Sequence, residues 1–282
     1  NYSAWGAGTQ FAMRPNDGGV WAMNIASTIY KLNNNVDYMG LYQAQGVSTK
    51  IWSQNNGDVL SYCSANGVLY GYDGNLALKG YQAGIGPVQN LAVLPNNSAA
   101  VMSTANTVFL VNSNAVYTGI YEAWTGAANQ FLALPTGNLL VGTTANTLYQ
   151  LSGTDLSYIN YSSLGVINRV DVRPDGKIFV TDSNNTIFME TSNNVYAGVY
   201  AAGFGGGGIS QMAFAQNGDI ALVNGNGTAY LLDGTTMAMK AYATGFDGAT
   251  GLGAQAVPEP GSLLALASGL VGLVGFGLRR RK

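Results

Sequence analysis

The chain has 282 residues, of which 47% are hydrophobic and only 9% charged, with no histidine and a single cysteine. That composition excludes a Ser-His-Asp triad, removes the commonest transition-metal ligand, and leaves neither an intramolecular disulfide nor a thiolate metal cage. Once Glu259, Arg279, Arg280, Arg281 and Lys282 near the C-terminus are set aside, the body holds 8 basic and 13 acidic groups, so it offers no basic stripe for a nucleic-acid backbone.

The sequence starts at Asn1 instead of Met, and we expect a secretory signal peptide to have been removed ahead of it. Tyr2-Ser3-Ala4-Trp5-Gly6 repeats the pattern of Tyr121-Glu122-Ala123-Trp124-Thr125-Gly126. It reads as the outer strand of a preceding repeat, pairing at a closure seam or adding to an open edge that a second copy could extend.

From there to residue 245 the chain repeats itself. One aromatic anchor recurs at Tyr30, Tyr70, Phe109, Tyr149, Phe188 and Tyr230, and a second at Tyr42, Tyr81, Tyr121, Tyr161, Tyr200 and Tyr242, at intervals of 39 to 42 residues. A turn signal keeps the same register: Asn16-Asp17-Gly18, Asn56-Gly57, Asn96-Asn97, Thr136-Gly137, Asp175-Gly176 and Asn217-Gly218. The fourth copy shows four short apolar runs, near 130–134, 138–143, 147–151 and 156–161. These are separated by turn residues that tolerate positive φ, and no helical periodicity is sustained. Four strands in each unit of about 40 residues predict an all-β, six-bladed β-propeller of four-stranded blades. The repeats lie near 7–45, 46–85, 86–125, 126–164, 165–206 and 207–245, and Phe204-Gly205-Gly206-Gly207-Gly208 reads as an inter-blade loop. Both recurrent aromatics are expected to fill the wedge between neighbouring blades.

Few residues suggest chemistry. Cys63 is expected to be a small buried strand residue. Asp171, Asp175, Asp182 and Glu190 cluster in the fifth repeat. Asp175 belongs to a turn and Asp171 could face an axial channel, but no calcium-loop spacing occurs, and no catalytic, cofactor or metal residue is assigned. The Asn-x-Ser/Thr triplets at Asn1, Asn96, Asn160, Asn184 and Asn226 are frequent in so Asn-rich a chain and identify no glycosylation site.

Residues 246–256 form a Gly/Ala-rich linker. Val257-Pro258-Glu259-Pro260-Gly261 follows, then the apolar stretch 262–278, then Arg279, Arg280, Arg281 and Lys282. The prolines hold an extended segment that an enzyme can grip. The 17-residue apolar stretch predicts a single hydrophobic helix about 25 Å long, at the short end for crossing a bilayer. The basic cluster would stay on the cytoplasmic side of that membrane.

This ending, Pro258-Glu259-Pro260, then 262–278, then 279–282, resembles the PEP-CTERM sorting signal of Gram-negative bacteria. The resemblance implies transient recognition by an exosortase, a membrane-embedded cysteine protease or transpeptidase. It implies an inner-membrane precursor whose tail is removed and whose body reaches the cell surface or extracellular matrix, often in connection with exopolysaccharide and biofilm. The body is loosely similar to NHL- and YVTN-type propellers, through blade length and turns such as Arg173-Pro174-Asp175-Gly176-Lys177. The leading expectation is a non-catalytic binding or scaffold protein contacting polysaccharide or other surface proteins. The alternatives are a self-assembling subunit of a fibre or array, and a calcium-dependent lactonase- or lyase-like enzyme.

Overall fold

The computed structural model describes residues 8–44, 48–123, 127–205 and 208–246. The described residues contain no helix; their 24 strands form six four-stranded antiparallel sheets, each pairing its strands in chain order. Sheets 1 to 6 span 8–44, 48–82, 88–123, 128–162, 167–201 and 209–243. In sheet 4 the strands are Ala128–Ala133, Leu139–Thr143, Leu148–Leu151 and Tyr158–Ser162, each close to its predicted run. The N-terminal segment 2–6, the linker beyond residue 246, the sorting motif and the apolar stretch expected to be helical lie outside the described residues. No helix among the described residues is long and apolar enough to cross a membrane.

The chain divides into two compact units, Asn1–Tyr200 and Ala201–Lys282. In the first, the opening strands of sheets 1 to 5 lie side by side in succession. The second strands there show why: Val20–Asn24, Val59–Cys63, Ala99–Ser103, Leu139–Thr143 and Ile178–Asp182 are buried at every position. A strand covered on both faces has no polar side and reads as a continuous apolar run. The core is therefore a series of inter-sheet layers. One joins Leu60 and Leu69 of sheet 2 to Leu91 and Val101 of sheet 3. Another joins Leu134, Leu140 and Leu148 to Ile167, Val170 and Val180. Each such side chain contributes roughly 1.5–3 kcal/mol on full burial.

Polar ties reinforce the layers from sheet 2 to sheet 5 at their opening strands. Lys50 donates to the carbonyl of Gln89, Gln89 to that of Ala128 at 2.9 Å, and Asn129 to that of Ile167 at 3.3 Å. Each tie runs from one sheet to the next. Backbone carbonyls on the opening strand of the next sheet gain a partner in this way.

The first turns follow the sequence signal. In sheet 4, Leu134 N donates to Asn138 O and Gly137 N to Leu134 O, with Gly137 at φ 90°. That is a three-residue hairpin closed by a left-handed residue, and Asn97 takes the same place in sheet 3 at φ 65°. The third turns were less legible. Their left-handed residue is not glycine but Val36, Leu76, Ala115, Leu156, Asn194 or Met237, all with φ between 57° and 64°. Five of these six side chains are buried, and burial offsets backbone strain of about 1–2 kcal/mol; Val36 is exposed.

Sheet 6, in the second unit, has its own buried strand residues Ile220, Leu222, Val223 and Leu232. Within that unit Asn224 donates to the carbonyl of Phe204 at 2.6 Å, and Tyr230 OH donates to it at 3.0 Å. These bonds anchor the start of the glycine-rich segment.

Candidate functional site

The residues assigned to sorting, Pro258, Glu259, Pro260 and Arg279 to Lys282, lie outside the described residues. The four acids of the fifth repeat occupy four different environments. Asp171 is chelated by Arg169, whose Nη2 lies 2.8 Å from Oδ1. Asp175 is held by the Arg173 fork at 2.9 and 2.7 Å, and that guanidinium holds its carboxyl below the usual range. Asp182 caps a turn, accepting the backbone N–H groups of Asn184 and Thr186 at 2.9 and 2.8 Å. Glu190 is fully buried and neither carboxyl oxygen reaches a hydrogen-bond partner. Burial pushes its carboxyl up to about 7, opposed in part by the nearby Ser162 hydroxyl. No group of three or more metal-ligating side chains occurs among the described residues.

Cys63 is buried, as expected. It stands at the end of a second strand, where Asn24, Ser103, Thr143, Asp182 and Asn224 stand in the other sheets. Asn160, in one of the glycosylation-like triplets, donates to the carbonyl of Asn193 at 3.1 Å. An open cavity of about 440 Å³ lies at the first-turn end of sheets 2 to 5, lined by Pro95, Pro135, Pro174 and Arg173 among others. The Arg173 charge there is engaged by Asp175.

The aromatic anchors form a different kind of site. Each sheet carries a row of cross-strand partners running from its opening strand to its fourth. In sheet 4 the row is Phe131, Val141, Tyr149 and Tyr161. Burial decays along it: Phe131 is 5% exposed, Val141 0%, Tyr149 is half-buried and Tyr161 57% exposed. Sheet 3 repeats this with Leu91, Val101, Phe109 and Tyr121. Twisted sheets that pack closely at one edge splay apart toward the other, so the row's outer end stays in water. The expectation that both aromatics fill an inter-blade wedge thus holds for Tyr70 and Tyr149, which pack on cores spanning two sheets, and is corrected for the fourth-strand tyrosines. Tyr81, Tyr121, Tyr161, Tyr200 and Tyr242 are 57% to 66% exposed.

A further ring joins the third-strand ring in four sheets, and the sequence reading missed it; in sheet 1 it is Tyr38, edge-on to Tyr30 at 77° and 5.9 Å. Phe109 is flanked by Tyr121, tilted 34° at 6.3 Å, and by Tyr117, edge-on at 80° and 6.0 Å. Phe188 is flanked in the same way by Tyr200 at 6.3 Å and Tyr196 at 6.0 Å. Tyr149 meets Tyr161 at 6.2 Å and Tyr158 at 6.4 Å. The available signal was the pattern Tyr-x-Gly-x-Tyr at 38–42, 117–121 and 196–200. In the latter two the glycine takes positive φ, 87° at Gly119 and 75° at Gly198. In sheet 3 a register shift pairs Phe109 with Tyr121 but Val111 with Tyr117. The bulge shortens the fourth strand so that both tyrosines close on one phenylalanine.

Comparison with known proteins adds two findings. Residues 256–282 match the PEP-CTERM protein-sorting motif. The fold is similar to solved β-propellers. The Myceliophteria thermophila Cps50 (Swd1) β-propeller domain superposes with a TM-score of 0.63 at 13% identity, over 85% of this chain and 86% of that one. BamB from Moraxella catarrhalis gives 0.62 at 10% identity, over 88% and 80%. The C-terminal WD40 domain of Sif2 gives 0.63 at 12% identity, over 80% and 66%. At these identities the likeness shows the fold alone. No curated protein sequence matches the chain.

Proposed function

We propose that this chain, a β-propeller with a C-terminal PEP-CTERM sorting motif, is a non-catalytic binding or scaffold protein of the cell surface or extracellular matrix, associated with exopolysaccharide. The motif implies an exported precursor held at the membrane by its C-terminal region until an exosortase acts on it. The observation that carries the binding role is the repeated presentation of exposed tyrosine rings on the fourth strands. Among the described residues such rings recur in each of sheets 2 to 6 and are amphipathic, with an apolar face and a polar hydroxyl. The acids of the fifth repeat support this reading as well, since three are engaged in turns or ion pairs and the fourth is sealed in the core.

The test is the mature C-terminus in cells that carry an exosortase. Intact mass is expected to place it near 258–261 in the parent. A variant with Pro258, Glu259 and Pro260 all changed to Ala is expected to keep Lys282 and stay with the membrane fraction. A parent protein that retains Lys282 at the cell surface would remove the sorting part of the proposal.

A further inference from the structure

We infer that the aromatic clusters on the fourth strands of sheets 3, 4 and 5 are stacking platforms for an uncharged polysaccharide, one platform per repeat. The inference rests on the reading of the chain as a surface binding protein and names its ligand class and contact residues.

Stabilisation alone does not account for the clusters. A cross-strand aromatic pair such as Phe109 with Tyr121 supports a sheet edge, and one tyrosine per repeat suffices for that. The second tyrosine, at 117, 158 or 196, adds a ring that is largely in water at two of these positions, with Tyr158 56% and Tyr196 41% exposed. Gly119 and Gly198 take a conformation that L side chains rarely adopt, although a Cβ at either would meet nothing within 4 Å. Their need for glycine is therefore conformational: the bulge draws the two tyrosines together around the third-strand ring.

Charge and repetition select the ligand. Across Tyr117–Ala123, Tyr158–Ser162 and Tyr196–Ala201 the only charged residue is Glu122. These strands offer no cation for an anionic polymer. A protein partner needs a continuous patch on the order of 800 Å² per side, whereas small aromatic sites recurring every repeat suit a ligand that itself repeats. The apolar faces of sugar rings lie against aromatic rings, while the tyrosine hydroxyls at the ring edges bond the sugar's rim. Several weak platforms on one chain raise the avidity for a polymer far above that of any single site.

The test is affinity electrophoresis of the full chain in mild detergent, through gels holding hydroxyethyl cellulose or galactomannan as neutral probes and alginate as the anionic one. Retardation by at least one neutral polymer is expected. The triple change Tyr121→Ala, Tyr161→Ala and Tyr200→Ala is expected to weaken it at least tenfold. The matching Tyr→Phe triple should stay within about twofold of the parent, since the rings remain. Tyr158→Ala alone gives a smaller loss of two- to threefold and guards against a folding defect in the triple. No retardation by either neutral polymer, retardation by alginate alone, or equal retardation of the parent and a folded Ala triple would each overturn the inference. The mature C-terminus is read independently, so a failure here is separable from a failure of sorting.

Discussion

The guanidinium of Arg173 lies over the ring of Phe179, its Cζ 5.4 Å from the centroid, and Arg14 stands in the same relation to Trp21 at 5.2 Å. The register makes these equivalent positions, and the remaining pairs are Gln54/Leu60, Leu94/Ala100, Leu134/Leu140 and Ala215/Ala221. An arginine precedes the first turn only where the second strand supplies an aromatic face, which is what a cation–π contact requires. Replacing either Arg173 or Phe179 by Leu, the residue at both places in sheet 4, is expected to lower the thermal midpoint. The double change should cost less than the two singles together, by about 1 kcal/mol of coupling. Strict additivity in urea unfolding would show that the two groups do not support each other.

Glu190 predicts a pH dependence. Its folded-state pKa of about 7 lies above the ordinary 4.5. Between those values the folded chain holds a proton that the unfolded chain has lost, so stability falls as pH rises through that window and levels off above it. Leu32, Val111, Leu151 and Leu232 occupy the same register in other sheets. Glu190→Leu is therefore expected to raise stability at pH 8 by about 2–3 kcal/mol and to flatten the profile between pH 4.5 and 7. Thermal midpoints across pH 4–9 measure both effects. An unchanged slope would show that Glu190 does not titrate as proposed.

Val36 is 52% exposed at φ 64°, so a β-branched residue bears left-handed strain with little burial in return. Val36→Asn is expected to stabilise by about 1 kcal/mol. Leu156→Asn, at φ 61° but 3% exposed, should destabilise, because lost burial of roughly 2 kcal/mol or more outweighs the relief. Opposite signs in chemical denaturation are the signature; two changes of the same sign would refute the balance.

Gly80 sits where a Cβ would meet the carbonyl oxygen of Asn114 at 2.4 Å, whereas at Gly74 the nearest atom is 3.8 Å away. Gly80→Ala must push the third turn of sheet 3 off sheet 2 and is expected to lower the thermal midpoint by several degrees, at roughly 1–3 kcal/mol. Gly74→Ala is expected to be near neutral.

Much of the fold was legible because turns and doubly covered strands leave strong local marks. Asn-Gly at 56–57 and Asp-Gly at 175–176 end in the left-handed residue their chemistry suggests, and the run Leu139–Thr143 is apolar because both its faces are covered. What was not legible depends on distances between sheets. The spacing that identified Tyr161 could not say whether the sheets remain in contact at its radius, so packing was expected where solvent is found. The pairing of Val111 with Tyr117 hid the second ring, since a regular strand would have placed it farther along. Glu190 read as one acid among four; only alignment with Leu151 and Leu232 marks its place as a core position.

The ties from Lys50 to Gln89, Gln89 to Ala128 and Asn129 to Ile167 have a genetic corollary. Each of these ties extends only to the next sheet, roughly one period downstream. An in-frame duplication or loss of one whole period offers the surviving donors a backbone carbonyl at the equivalent place in the next sheet, while a change of half a period breaks the tie that spans it. Lineages carrying this architecture should therefore vary in length by quanta of about forty codons.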